Sequence, residues 1–199
     1  MTDSENSRSL PRLTKLAHEI VAAVLPPGGT AIDATAGNGH DTLFLAQRVG
    51  PAGRVFAFDI QKDAIATCEE RMRRAGLSNV TFLKECHSQM ARTLDADLGG
   101  KVNAVMFNLG YLPGGDKTLI TDESKTVSAI SDALELLAEE GVVTVLAYRG
   151  HPGGREEADA VAGLLASFDQ SCFEISLRKV SGAPETSPEL SIIRKQADL

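Results

Sequence analysis

From residue 30 to residue 167, short apolar runs alternate with stretches of helical periodicity, and that rhythm leaves this chain few folds to adopt. The runs at 30–34, 54–59, 79–84, 102–107 and 141–148 are too short for stable helices and read as buried strands. Amphipathic spacing predicts helices near 40–49, 61–75, 87–97, 123–139 and 154–167. Another helix precedes the first strand, because Leu13, Leu16, Ala17, Ile20, Val21 and Val24 recur at helical spacing until Pro26-Pro27-Gly28-Gly29 breaks it. Strand–helix–strand units require parallel strands joined by right-handed crossovers, with helices on both faces. The expected class is α/β.

The end of the chain leaves that rhythm. Segments 172–180 and 189–195 both read as strands, yet the connection from Ser181 to Pro188 is too short for a crossover helix. Two neighbouring strands joined that way must run antiparallel. The expectation is a mostly parallel seven-stranded sheet with an antiparallel C-terminal hairpin. That arrangement resembles the Rossmann-like class I methyltransferases dependent on S-adenosylmethionine (SAM), whereas a conventional dinucleotide-binding fold would keep alternating.

Length suits one domain over 1–199, with 1–9 a flexible polar start. No apolar run approaches the ~20 residues of a spanning helix, so a soluble protein without a membrane partner is expected. Cys68, Cys86 and Cys172 form no Cys-x-x-Cys or Cys/His cluster. Neither a disulfide framework nor a metal site is predicted, which points to a reducing, cytoplasmic setting. The formal net charge of −7 argues against loose, charge-driven nucleic-acid binding, while leaving room for a local basic patch.

The first strand runs into Asp33-Ala34-Thr35-Ala36-Gly37-Asn38-Gly39, and a helix follows. Glycines here let the backbone turn tightly and approach a ligand closely. A dinucleotide loop would want a small residue where this chain has Thr42, and it would not account for Asp33. That acid resembles the one that orients the methionine end of SAM. The second strand ends at Asp59, where Rossmann-like enzymes hold the ribose hydroxyls. An ionised carboxylate carries only acceptors and so matches a vicinal diol; capping the next helix is the plainer role. After the third strand, Glu85, Cys86, His87 and Ser88 fall where adenine is contacted.

The fourth strand delivers Asn108-Leu109-Gly110-Tyr111-Leu112-Pro113 at its carboxyl end, where open α/β sheets bind ligands. This loop looks like a variant of the Asn/Asp-Pro-Pro-aromatic motif of amino-group methyltransferases, with Leu109 and Gly110 replacing the prolines. In that motif the Asn oxygen and a backbone carbonyl, here that of Leu109, accept from the acceptor amine while the aromatic ring stacks on its base. Asn108 also borders the cofactor. No Cys follows before Cys172, so a covalent pyrimidine-methylase mechanism finds no nucleophile.

Three stretches together resemble one family: Asp33 to Ala46, Asn108 to Lys117, and Tyr148-Arg149-Gly150-His151-Pro152-Gly153-Gly154. They are similar to the YtqB/MnmM-like methyltransferases over most of residues 10–195. The family is linked to tRNA wobble uridine, converting its 5-aminomethyl group to 5-methylaminomethyl. The resemblance implies SAM as cofactor, held by Asp33, Gly37, Gly39 and Asp59; Asn38 in the same loop and His87 after the third strand are read as further cofactor contacts. It implies Asn108 and Tyr111 at the acceptor with Asp116, Lys117 and His151 nearby, and a homodimer. Asp116 and His151 are the candidate bases. Lys117, Arg149 and Arg155 lie on loops at the strand ends, where they would meet phosphates of the tRNA anticodon region. Asp116 and Lys117 also read as turn residues, and His151 as a helix-terminus residue before Gly153-Gly154. His18 reads as ordinary packing or a cap on the site, and His40 and Asp41 as groups favouring the positive end of their helix. Rival activities are methylation of rRNA, protein or a small amine, aminopropyl transfer, and SAM binding without catalysis.

Overall fold

The computed structural model describes residues 3–110 and 121–196, with residues 3–12 described by their backbone alone. Helix α1 (Asp3–Val24) leads into β1 (Thr30–Asp33), α2 (His40–Val49), β2 (Arg54–Phe58), α3 (Lys62–Arg74) and β3 (Val80–Leu83). A 3-10 turn at His87–Gln89, the short α4 (Met90–Thr93) and a second 3-10 turn at Ala96–Leu98 follow. Then come β4 (Val102–Asn108), α5 (Glu123–Leu136), β5 (Leu137–Ala147), α6 (Gly154–Ala166), β6 (Phe173–Lys179) and β7 (Glu189–Lys195).

The strands form one seven-stranded sheet in the order β3-β2-β1-β4-β5-β7-β6. The β1–β2, β2–β3, β1–β4 and β4–β5 pairs are parallel. β7 pairs antiparallel with both β5 and β6, so the C-terminal hairpin inserts its last strand into the sheet. The chain builds outward one way from β1 through β2 to β3 and the other way through β4 to β5. A crevice therefore opens at the carboxyl ends of β1 and β4, the topological switch point.

Alternate residues of the central strands feed two cores. Ala31, Ala104, Met106 and Val142 face Leu13, Val21, Leu45 and Cys68 of α1, α2 and α3. Ile32, Val105, Phe107 and Val143 face Met90, Ile130, Ala133 and Val161 on the other side. Sheet faces buried on both sides explain why these strands read as continuous apolar runs. Each large side chain buried this way contributes about 1.5–3 kcal/mol.

Two helix boundaries depart from the sequence expectation. Residues 87–97 do not form one helix, because Leu94 and Asp95 turn extended with ψ of 147° and 137°. Met90, Leu94 and Leu98 are all buried, so their spacing follows a wrapped loop as readily as a helix. Helix α5 stops at Leu136, short of residue 139, and β5 begins with Leu137 paired to Val102. Glu140 sits in the left-handed region (φ 60°), and the pairing register shifts between Val102 and Ala104. No helix among the described residues is long and apolar enough to cross a membrane.

Candidate active site

The crevice holds a cavity of about 520 Å³ walled by the β1–α2 loop, the ends of β2 and β4, the His87 turn, the start of α5 and the loop after β5. Beneath the cavity lies Asp33, whose side chain is fully buried and does not line it. Thr35 N donates to Asp33 Oδ1 (3.1 Å) and Thr42 Oγ1 to Oδ2 (2.6 Å). Burial, reinforced by the nearby Asp41 charge, pushes the Asp33 carboxyl up to about 7. Asp33 thus shapes the loop from beneath, and the wall itself is formed by Ala34, Thr35, Ala36, Gly37 and Asn38.

The loop closes onto the second strand. Gly37 N donates to Asp59 Oδ2 (2.9 Å) and Gln61 N to Asp59 Oδ1 (2.8 Å). Burial raises the Asp59 pKa, opposed by these N–H groups. A carboxylate offers about four acceptor positions, so roughly two remain for a ligand. Gly39 caps α2 with φ 76°, and a Cβ there would lie 2.8 Å from Cys68 Sγ. The residue before it is fixed by Arg71, whose Nε donates to the Asn38 carbonyl (2.6 Å). Cys68 itself is no nucleophile, since burial raises its thiol to about 11.

His87 also lines the cavity and is buried against Phe107. Its Nδ1 lies 3.2 Å from the Ala34 carbonyl. A carbonyl only accepts, so Nδ1 carries the proton and Nε2 is an acceptor. Nε2 is buried and has no hydrogen-bond partner among the described residues. Desolvation lowers the His87 pKa and keeps the ring neutral. Beside it, Ile60 leaves half its surface exposed along the cavity, an apolar shelf next to Asp59.

The acceptor side is built on the end of β4. Asn108 N donates to Thr35 Oγ1 (2.7 Å), joining β4 to the cofactor loop. Asn108 Nδ2 donates to Asp41 Oδ2 (3.2 Å), and Asp41 Oδ1 accepts from His18 Nε2 (2.6 Å). Leu109 N donates to the Leu146 carbonyl (2.9 Å), which fixes the Leu109 side of the wall. Tyr111, Asp116 and Lys117 lie outside the described residues. Around that segment, Gly110 and Thr121 pair through both backbone groups and the Thr121 hydroxyl. The Thr121 and Thr126 hydroxyls both donate to buried Glu157 at 2.6 Å, and burial raises that carboxyl's pKa.

The loop after β5 brings Tyr148, Gly150 and His151 to the same cavity. His151 Nδ1 donates to the Pro152 carbonyl (2.9 Å). Gly154 must be glycine, because a Cβ would lie 2.1 Å from the Tyr148 carbonyl.

Arg149, read from the sequence as a phosphate contact, is paired within the protein. Its Nη1 donates to Glu189 (3.2 Å) and its Nη2 to Asp159 (2.5 Å), and only 15% of its side chain is exposed. Its guanidinium links β7, through buried Glu189, to α6, through the exposed Asp159. Arg155 is exposed, with Glu185 3.7 Å away. Sequence reasoning missed Lys125, which lines the cavity from the first turn of α5. It also left Asp41 as a helix-end charge, although Asp41 walls the cavity. The signal for both was position: each opens a helix that follows a strand ending at the site.

The family model described as "Putative rRNA methylase" matches residues 55–194. The chain belongs to this family. It is 41% identical over 159 residues to a chloroplastic tRNA (mnm(5)s(2)U34)-methyltransferase of Arabidopsis thaliana, an alignment covering 75% of this chain and 57% of the relative. The crystal structure of a "putative rRNA-methylase" from Clostridium thermocellum superposes with a TM-score of 0.87 at 39% identity, over 92% of this chain and 97% of that one. A "putative methyltransferase" from Streptococcus mutans, solved in complex with SAH, gives 0.82 at 32% identity with the same coverage of 92% and 97%. The Rossmann-like methyltransferase fold expected from the strand order is the one observed.

Proposed function

We propose that this protein is a SAM-dependent N-methyltransferase whose acceptor is the primary amine of 5-aminomethyl-(2-thio)uridine at the tRNA wobble position. The observation that carries the reading is one cavity with two differently equipped walls. One wall has Asp59, Gly37, Asn38 and the unmatched His87 acceptor; the other has Asn108, Leu109, Tyr148 and His151. The first wall fits SAM chemically: a carboxylate for ribose hydroxyls, an acceptor for the adenine amine and an apolar Ile60 shelf for the base. Bound there, SAM supplies an electrophilic methyl carbon on a sulfonium that leaves as a neutral thioether.

On the second wall, Asn108 Oδ1 and the Leu109 carbonyl accept N–H groups of the acceptor amine and orient its lone pair. Positioning of that kind is much of what a displacement demands. An alkylamine is mostly protonated at neutral pH, so a base must first take its proton. His151 stands on the wall for that task, and Asp116 is the second candidate. Lys125 and Arg155 are the cations we assign to tRNA phosphate, and Lys117 is a third candidate. The name of the Arabidopsis relative supports the choice of wobble uridine. The free cysteines suit a reducing compartment, the cytoplasm in this reading.

The family description favours rRNA as the second reading. The test incubates the protein and labelled SAM with tRNA carrying the aminomethyl group, with tRNA lacking it, and with rRNA. Label only on the first tRNA, as a 5-methylaminomethyl nucleoside, is the expected result. Equal label on both tRNAs, or label on rRNA alone, refutes the assignment.

A further inference from the structure

We propose that Asp41, held in place by His18, is a positioning residue that sets which end of the Asn108 amide faces the acceptor. The inference rests on Asn108 being the acceptor-side residue. An asparagine amide is nearly symmetric in shape, so packing alone does not distinguish its oxygen from its nitrogen. The chemistry of its neighbour does. Asp41 is only 6% exposed, and its Oδ2 lies 3.2 Å from Asn108 Nδ2. An ionised carboxylate can only accept. The Asn108 amino group must therefore turn toward Asp41, and its oxygen is left for the cavity, where an amine N–H needs an acceptor. With the amide reversed, two oxygens would meet and a donor would confront the amine.

The Asp41 carboxylate is itself fixed. His18 Nε2 donates to its other oxygen at 2.6 Å, and the imidazole stacks on Phe44 with ring centroids 4.0 Å apart and planes 4° from parallel. Helix α1 thus reaches the reacting centre through a three-residue chain, His18–Asp41–Asn108, drawn from α1, α2 and β4. The covalently unrelated origins of the three make the chain a product of the fold. Asp33, the other carboxylate within electrostatic reach of Asp41, faces Thr35 and Thr42 and takes no part in it.

The experiment measures SAH affinity by calorimetry and kcat and KM on aminomethyl-bearing tRNA, for the full chain and four variants. Asp41→Asn should lower kcat by about thirtyfold or more while SAH affinity stays within about threefold. The exchange Asp41→Asn with Asn108→Asp reverses donor and acceptor and again leaves an oxygen facing the cavity. It should recover at least about tenfold over Asp41→Asn, which a merely structural role would not produce. His18→Phe keeps the ring stack and removes only the donor; a drop of about fivefold in kcat with unchanged SAH affinity is expected, and it serves if Asp41→Asn does not fold. Asn108→Ala is the control for the underlying reading and should lose turnover with cofactor affinity retained. An Asp41→Asn variant that loses SAH binding as much as turnover, an exchange no better than that single variant, or His18→Phe at wild-type kcat overturns the proposal. Wild-type protein inactive on this tRNA, or Asn108→Ala at wild-type rate, instead overturns the acceptor assignment beneath it.

Discussion

Replacing Asp59 with asparagine exchanges one carboxylate oxygen for an amino group at almost constant volume, and the structure says that this exchange is no milder than truncation. Asp59 already accepts from Gly37 N at 2.9 Å and Gln61 N at 2.8 Å, one bond to each oxygen. Asparagine has a single acceptor oxygen, so one of these N–H groups would face an amino group. The ribose diol assigned to the remaining lone pairs would meet the same donor. A hydrogen bond to a charged group contributes about 1.5–3 kcal/mol; the one lost from the loop weakens free and bound protein alike, and the one lost from the ligand weakens binding. At about 1.4 kcal/mol per tenfold, SAH affinity should fall by roughly tenfold to a hundredfold. Asp59→Ala, which leaves the N–H groups open to water, should be no worse. Calorimetric titration with SAH measures the affinity, and urea unfolding in parallel separates it from loss of fold. Asp59→Asn binding within threefold of wild type, or clearly tighter than Asp59→Ala, would refute the reasoning.

Asp33 gives a pH signature. Its carboxyl is pushed from 3.8 up to about 7 by burial and the Asp41 charge, so the native state holds this proton more tightly than the unfolded chain. The stability it contributes is fully present below about pH 4 and is lost as pH rises through about 7. The stability of wild type relative to Asp33→Asn should therefore decline from pH 4 to 7 and level off above; urea midpoints running parallel across that range would contradict it. On α6, Gly154→Ala should cost about 3 kcal/mol, because its Cβ would lie 2.1 Å from the Tyr148 carbonyl, whereas Gly163→Ala has nothing within 4 Å and should gain about 0.5–1 kcal/mol. Equal unfolding midpoints for the two variants would show that the loop after β5 yields freely.

The strands were legible because burial on both sheet faces writes itself as short continuous apolar runs, and the hairpin because Ser181–Pro188 is too short to cross the sheet. The failures have physical causes of the same local kind. Met90, Leu94 and Leu98 keep helical spacing while the backbone leaves the helix at Leu94, since burial on one side is all that spacing reports. The Leu136-Leu137-Ala138-Glu139-Glu140 stretch is rich in helix formers, yet the demand of β5 for a partner in β4 overrides propensity and tips Glu140 into the left-handed region. The site divides along a similar line. Gly37, Asn38, Asp59, His87, Asn108, Leu109 and His151 are placed by the sequence at or just beyond the carboxyl ends of strands, and all line one cavity. Arg149 occupies an equivalent place, but its side chain is engaged by two carboxylates. The carboxylates that hold it, Asp159 and Glu189, come from α6 and β7, and nothing near Arg149 in the chain announces them. Asp41 fails in the opposite direction, since a helix-opening acid looks self-explanatory until His18 and Asn108 arrive on its two oxygens. Residue type fixes which bonds a side chain is able to form. Whether those bonds are already taken inside the protein depends on pairings across 10 to 67 positions of sequence, and it is this that separates Arg149, engaged by two carboxylates, from Asp41, which walls the cavity.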